Sequence, residues 1–171
     1  VYIAAVGGSA SDIANAIWLA KDGGCSYSAW PDYPSGSTVP GQGAVETEIV
    51  YDTRYSAPQP SYGVSFIIPA ATPVYFAVNV ENASSLPSNY VALIKDAIIA
   101  QFNGENSNTP AGIASKILAS NYYGAVISAV PGISLQGILV GLSGPATAYD
   151  VTMGIDQQPS LDDSTITVTP V

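Results

Sequence analysis

Between Val74 and Phe102 the hydrophobic period changes from two to 3.6, and that change limits the chain to folds that pack helices on sheets. Val74, Phe76, Val78 and Val80 alternate with Tyr75, Ala77 and Asn79, as the pleat of a strand with one buried face requires. Val91, Ile94, Ile98 and Phe102 then recur one helical turn apart, which gives an amphipathic helix. Pro87 suits its first turn, and Asn103-Gly104 supplies a stop. A strand feeding directly into a helix that carries its own apolar stripe calls for a two-layer packing.

The same reading extends along the chain. Val1 to Val6 is a short apolar run closed by Gly7-Gly8, the pattern of a buried strand ending in a turn. Ser9 and Ser11 are N-cap candidates and Asp12 sits where the helix dipole favours an acid. Ile13, Ala16, Ile17 and Ala20 continue at helical spacing up to Gly23-Gly24. From 25 to 43 aliphatic residues are scarce and Gly, Pro and Ser dominate, so a long surface loop is expected there. Ala44 to Tyr51 alternates apolar with acidic residues and Tyr62 to Ile68 alternates again. These two runs, separated by Pro58 and Pro60, predict an antiparallel hairpin. On such a strand Glu46 and Glu48 belong on the solvated face.

A boundary is expected at Pro69 to Pro73, where the pattern resets. Beyond the helix ending near Gly104, the spacing of Ile113, Ile117, Leu118, Val126 and Val130 predicts a second helix over about 111–129, interrupted or bent near Gly124. Pro131-Gly132 stops it. Strands are expected at Ile133 to Leu139, at Val151 to Ile155 with a turn over Asp156 to Pro159, and at Thr165 to Thr169. The expected fold is therefore α+β, with two small subdomains, each a mostly antiparallel sheet with one or two helices on one face. The first, 1–70, reads β-α-β-β with the long loop 25–43. The second, 71–171, reads β-α-α-β-β-β.

Function is bounded mostly by what the chain lacks. Its 171 residues are 47% hydrophobic but only 10% charged, with 13 acids against 4 bases and a formal charge of −9. Nucleic-acid binding draws its affinity from clustered Lys and Arg. Lys21, Arg54, Lys95 and Lys116 are scattered, so neither nucleic acid nor an anionic membrane surface is an expected partner. No apolar run approaches the ~20 residues that span a bilayer. There is no histidine, which removes the commonest general base and every imidazole metal site. Cys25 is the single cysteine, so no internal disulfide is available and a reducing compartment suits it.

The remaining motifs read as structure. Gly7-Gly8-Ser9-Ala10-Ser11 has neither the Lys-Ser/Thr ending of a phosphate loop nor dinucleotide glycine spacing. Gly141-Leu142-Ser143-Gly144 misses the nucleophile elbow by one position. Asp162 and Asp163 read as turn residues before a strand, and Asp150 and Asp156 flank a strand at its two ends, too far apart in sequence for a calcium loop. Only Glu46 and Glu48 could form a carboxylate pair for hydrolysis. No catalytic residue, cofactor or metal site is expected.

Four segments resemble the baseplate J-like family of phage tail proteins. One is Thr72-Pro-Val-Tyr-Phe-Ala-Val-Asn-Val80 with Leu86-Pro-Ser-Asn, an Ile-Lys-Asp-Ala-Ile helix and Phe102-Asn-Gly-Glu105. Another is Asn121-Tyr-Tyr-Gly-Ala-Val-Ile-Ser-Ala-Val-Pro-Gly-Ile133. A third is Val151-Thr-Met-Gly-Ile-Asp-Gln-Gln-Pro-Ser-Leu161, with the Thr/Val strand after it. The opening Val6-Gly-Gly-Ser-Ala-Ser-Asp-Ile-Ala-Asn-Ala-Ile17 is similar to the family's central region. The segment from about 26 to 43 has no counterpart.

That resemblance implies the central and C-terminal portion of a contractile-tail baseplate wedge protein. It implies a place in the virion after assembly in the bacterial host cytoplasm, with other wedge and hub proteins and copies of itself as partners. It transfers no catalytic residue. Eleven Tyr against three Phe suit a neutral contact surface, since Tyr combines large area with a polar tip. A rival expectation is a surface carbohydrate- or receptor-binding module, such as an adhesin or tail-fibre piece. In that reading Trp30, Tyr33, Tyr51 and Tyr55 form a stacking platform.

Overall fold

The computed structural model describes residues 3–21, 43–105 and 109–171. The fold is α+β and divides into two compact units. Unit 1 runs to Ala70 and takes in Ile155–Gln157; unit 2 comprises Ala71–Gly154 and Gln158–Val171. The expected division at residue 70 leaves out that three-residue return of the chain to unit 1.

In unit 1, helix α1 (Ala10–Leu19) begins at Ser9, whose Oγ accepts from the Asp12 N–H at 3.2 Å and donates to the Asp12 carboxylate at 2.6 Å. Strands β1 (Ala44–Tyr51) and β2 (Ser61–Ile68) pair antiparallel, Ala44 opposite Ile68 and Tyr51 opposite Ser61. Val50, Val64 and Phe66 join Ala14 of α1 in the unit's core, with Ile3, Ile13, Ile17 and Trp18 against it. Of the expected strand Val1 to Val6, Val1 and Tyr2 lie outside the described residues, and residues 3–6 form a parallel bridge, Ala4 to Ile67. The Ala5 N–H donates to Ile67 O and the Ile67 N–H to Ile3 O. Of the expected loop, residues 25–42 lie outside the described residues.

Unit 2 is built on strand β4 (Tyr75–Val80), which follows β3 (Ala70–Pro73). Helix α2 (Tyr90–Phe102) starts after Asn89, so Pro87 precedes the first turn and does not enter it; its carbonyl accepts from the Tyr90 N–H. The second helix is much shorter than the spacing predicts. Residues 111–129 form strand β5 (Lys116–Leu118), a 3-10 turn (Ala119–Tyr122) and helix α3 (Tyr123–Ala129). Two local features rule out the longer helix. Ala114 takes a left-handed φ of 54°, which a helix interior excludes, and the Gly112 N–H is turned onto Ser115 Oγ. Ile117-Leu118 is then an apolar pair of the kind whose periodicity does not separate strand from helix. The break expected near Gly124 falls just before it, where the 3-10 turn gives way to α3 at Tyr123, and Gly124 lies in the first turn of α3.

Strands β6 (Leu135–Gly141), β7 (Asp150–Thr152), β8 (Gln157–Ser160) and β9 (Ile166–Pro170) complete the unit. The main sheet has the order β6-β4-β9, antiparallel on one side and parallel on the other. β5 pairs with β7, and β3 with β8. The expected turn over Asp156 to Pro159 is thus mostly strand. Pro159 is buried there, Val74 N–H donates to Ser160 O, and Ala70 N–H donates to Asp156 O.

Phe76, Val78 and Val80 face the unit-2 core. Opposite them lie Ile94, Ile98 and Phe102 of α2 and Val126 of α3. Phe76 meets Tyr122 edge-on with centroids 4.7 Å apart, a geometry that adds to burial. Burial pushes the Tyr122 phenol up to about 12, so it stays a neutral core group. Lys95 of α2 donates to the Asp163 carbonyl and carboxylate at 2.9 and 3.0 Å, tying α2 to the turn before β9.

Candidate interaction surface

Of the four aromatic residues expected to form a platform, Trp30 and Tyr33 lie outside the described residues. Tyr51 and Tyr55 are 59% and 57% exposed. Tyr51 closes β1 and Tyr55 stands in the connection to β2, so both belong to one end of the hairpin. That end is held by Asp52, which is 3% exposed. Its carboxylate accepts from Arg54 Nε at 2.8 Å, Arg54 Nη2 at 2.7 Å and the Arg54 N–H at 3.1 Å. Its own N–H donates to Pro60 O, and its carbonyl accepts from the Tyr55 N–H. The Arg54 side-chain hydrogen bonds hold the Asp52 carboxyl below its ordinary value, and Asp52 in turn raises the guanidinium. A fork of this kind fixes both partners in one plane, so the turn presents Tyr55 from a defined base.

Sequence reasoning passed over a second aromatic feature nearby. Trp18 of α1 stacks on Tyr62 of β2, centroids 4.2 Å apart and planes at 21°. The Lys21 ammonium lies 5.2 Å from the Trp18 ring centroid, within reach of a cation–π contact. A helix residue and a strand residue 44 positions apart give no shared motif, which is why the pair is invisible in the sequence. Lys116 pairs with Asp150 at 3.0 Å. All four cations of the chain are therefore engaged within it, two with carboxylates on other elements, one with Asp52 and one with an aromatic ring.

Glu46 and Glu48 do share a face, but it is not the solvated one. The register sets Glu46 opposite Phe66 and Glu48 opposite Val64, so both acids point to the side packed by α1. They remain half-buried, because β1 is the outer strand and long side chains on it reach water past the sheet edge. Among the described residues neither carboxylate has a hydrogen bond or ion pair.

Two concavities in unit 2 have different linings. A groove of about 710 Å³ between α2 and α3 is floored by Ala97, Ala100, Gly124 and Ala125, with Asp96 its one charge. A smaller one of about 200 Å³ lies between Thr109–Ala111 and Ser115–Leu118. Neither brings acids together, and among the described residues no three His, Cys, Asp or Glu side chains are grouped to hold a metal. No described helix is long and apolar enough to cross a membrane.

What the surface offers is apolar and aromatic contact area. Val6, Leu19, Ile49, Tyr51, Tyr55, Tyr62 and Ile68 all stand exposed on unit 1. No protein-family model matches this chain, and no curated protein matches it.

Proposed function

We propose that this chain is a structural component of a contractile-tail baseplate wedge, acting through protein–protein assembly. The observation that carries the reading is the surface of unit 1: large apolar and aromatic side chains stand exposed beside cations already satisfied within the chain. Such a surface loses little hydration on contact and gains apolar area. The ordered resemblance of four segments to the baseplate J-like family supports the same reading and supplies its setting: a virion component assembled in the bacterial host cytoplasm, with wedge and hub proteins as partners. In this reading the protein is not an enzyme. Co-expression with the products of its neighbouring genes, followed by cryo-EM of the assembly, tests the proposal. The expected result is density for this chain in the wedge; failure to co-assemble with any of those proteins overturns it.

A second reading, a carbohydrate- or receptor-binding module, draws on Tyr51 and Tyr55 being more than half exposed at one hairpin end. A glycan-array signal lost in Tyr55→Ala would establish it in place of the first.

A further inference from the structure

The sheet edges of this protein are not treated alike. On β6 the outer edge is closed: the Ile138 N–H donates to Tyr123 Oη at 2.9 Å, and Val140 exchanges both backbone hydrogen bonds with Ala148. On β9 the Val171 N–H donates to Val80 O, so in the alternating parallel ladder Ile166, Val168 and Pro170 face outward. The Ile166 N–H is turned to Asp163 O, and Pro170 has none. These are the devices by which proteins protect an edge from stray pairing.

Among the described residues the outer edge of β1 has neither a covering hydrogen bond nor a proline, and its guard is the charge of Glu46 and Glu48. The Asp52 N–H bonds Pro60 O, which makes the even-numbered residues of β1 the ones paired with β2 and turns Val45, Thr47, Ile49 and Tyr51 outward. Among the described residues those four peptide groups have no backbone partner. β-Branched and aromatic residues are the side chains that suit a strand pairing, and Ile49 and Tyr51 are already exposed. The other hairpin edge is less suited, with Ile67 bonded to Ile3 and Ala5, and only Ser61, Gly63 and Ser65 left along it.

We infer that the outer edge of β1 accepts an extended segment of a different protein, carrying two basic residues two positions apart that sit across from Glu46 and Glu48. The charges select this occupant. Two copies pairing antiparallel through this edge bring Glu48 across from Glu48, or Glu46 across from Glu48, in the registers that use nearly the whole strand. Like charges directly opposite oppose pairing. Nor can the chain's own cations neutralise them, since all four are engaged. An incoming strand with Lys or Arg at alternate positions meets both acids on one face, and its intervening residues lie beside Thr47 and Ile49 on the other. Main-chain bonds then supply affinity and the alternate side chains specificity, as in strand addition generally.

This inference deepens the assembly reading and rests on it for the existence of a partner, but its chemistry is separable. The probe is a synthetic eight-residue peptide alternating valine and lysine, compared with one alternating valine and glutamate, added to the isotope-labelled chain. The expected result is that only the basic peptide slows amide exchange at Thr47, Ile49 and Tyr51, by about tenfold or more at saturation; Val45 is already buried. Ile49→Pro removes an outward N–H without touching the ladder to β2 and should abolish that protection. The double variant E46Q/E48Q keeps the edge and should weaken binding about three- to tenfold; it decides the matter should the proline variant not fold. Protection by both peptides, protection elsewhere but not on β1, or concentration-dependent self-protection of these amides without peptide each overturns the inference. Loss of peptide binding beside intact wedge co-assembly would sink the edge alone, whereas absent co-assembly beside intact peptide binding would sink the wedge reading alone.

Discussion

Replacing Tyr123 with Phe deletes one oxygen and leaves the ring, so its effect can be worked from a single contact. Tyr123 Oη is the acceptor for the Ile138 N–H at 2.9 Å, and Ile138 is fully buried in the centre of β6. Without the oxygen that donor faces the apolar underside of α3. An unsatisfied buried donor costs about 1–3 kcal/mol. Tyr123 itself is only partly buried, so water has some access and the lower part of the range, about 1–2 kcal/mol, applies. In a unit of about 100 residues that lowers Tm by roughly 4–16 °C. Amide exchange at Ile138 should quicken about 5- to 30-fold under conditions where that strand opens with the unit. Calorimetry and exchange NMR read the two effects together. A Tyr123→Phe variant with unchanged Tm and unchanged Ile138 exchange would refute the idea that this hydroxyl closes the sheet edge.

Two further outcomes follow from the core and the turns. Ile98 is fully buried between α2 and β4, so Ile98→Ala should cost about 2–5 kcal/mol in denaturant unfolding; an unchanged midpoint would contradict the packing described. Asp52 and Asp162 have carboxyls held below their ordinary values by hydrogen bonds from Arg54 and Ser164. Their contribution to stability is complete above about pH 4 and is lost as pH falls through the depressed folded values. The double variant D52N/D162N should therefore lose less Tm than the parent on going from neutral pH to below pH 3, and equal acid sensitivity would count against both assignments.

Much of the fold was legible because local and tertiary demands agree there. Val74 to Val80 reads as a strand and is one, its buried residues on the face its alternation names. Ser9 caps α1 as its position before the apolar spacing indicates. The hairpin of Ala44–Tyr51 with Ser61–Ile68 follows from two alternating runs divided by prolines. Legibility failed where a tertiary partner overrode spacing. Ile113 and Ile117 stand four apart, as on one helical face, yet Ile117 pairs with Val151, and nothing near Ile117 announces that partner 34 residues away. Glu46 and Glu48 were assigned to water by alternation, but the register sets them opposite Phe66 and Val64, on the face that packs α1. Of the aromatic platform, the exposure of Tyr51 and Tyr55 was readable from their place at a turn. The Trp18–Tyr62 stack depended on where α1 crosses β2, which no local pattern encodes.

The place of β9 has a consequence for how the protein is made. β4 is the middle strand of its sheet, yet one of its two neighbours comes from residues about 90 positions later. During synthesis, β4, α2, α3 and β6 leave the ribosome well before Ile166–Pro170, and through that interval one flank of a nearly all-apolar strand waits without its mate. Long-range closures of this kind are slow, so through that interval the open flank of β4 is available to any other unpaired strand. A ribosome halted at Leu161 would release a sticky half-sheet, and quality control should recognise that product far more readily than one missing the tip of the unit-1 hairpin.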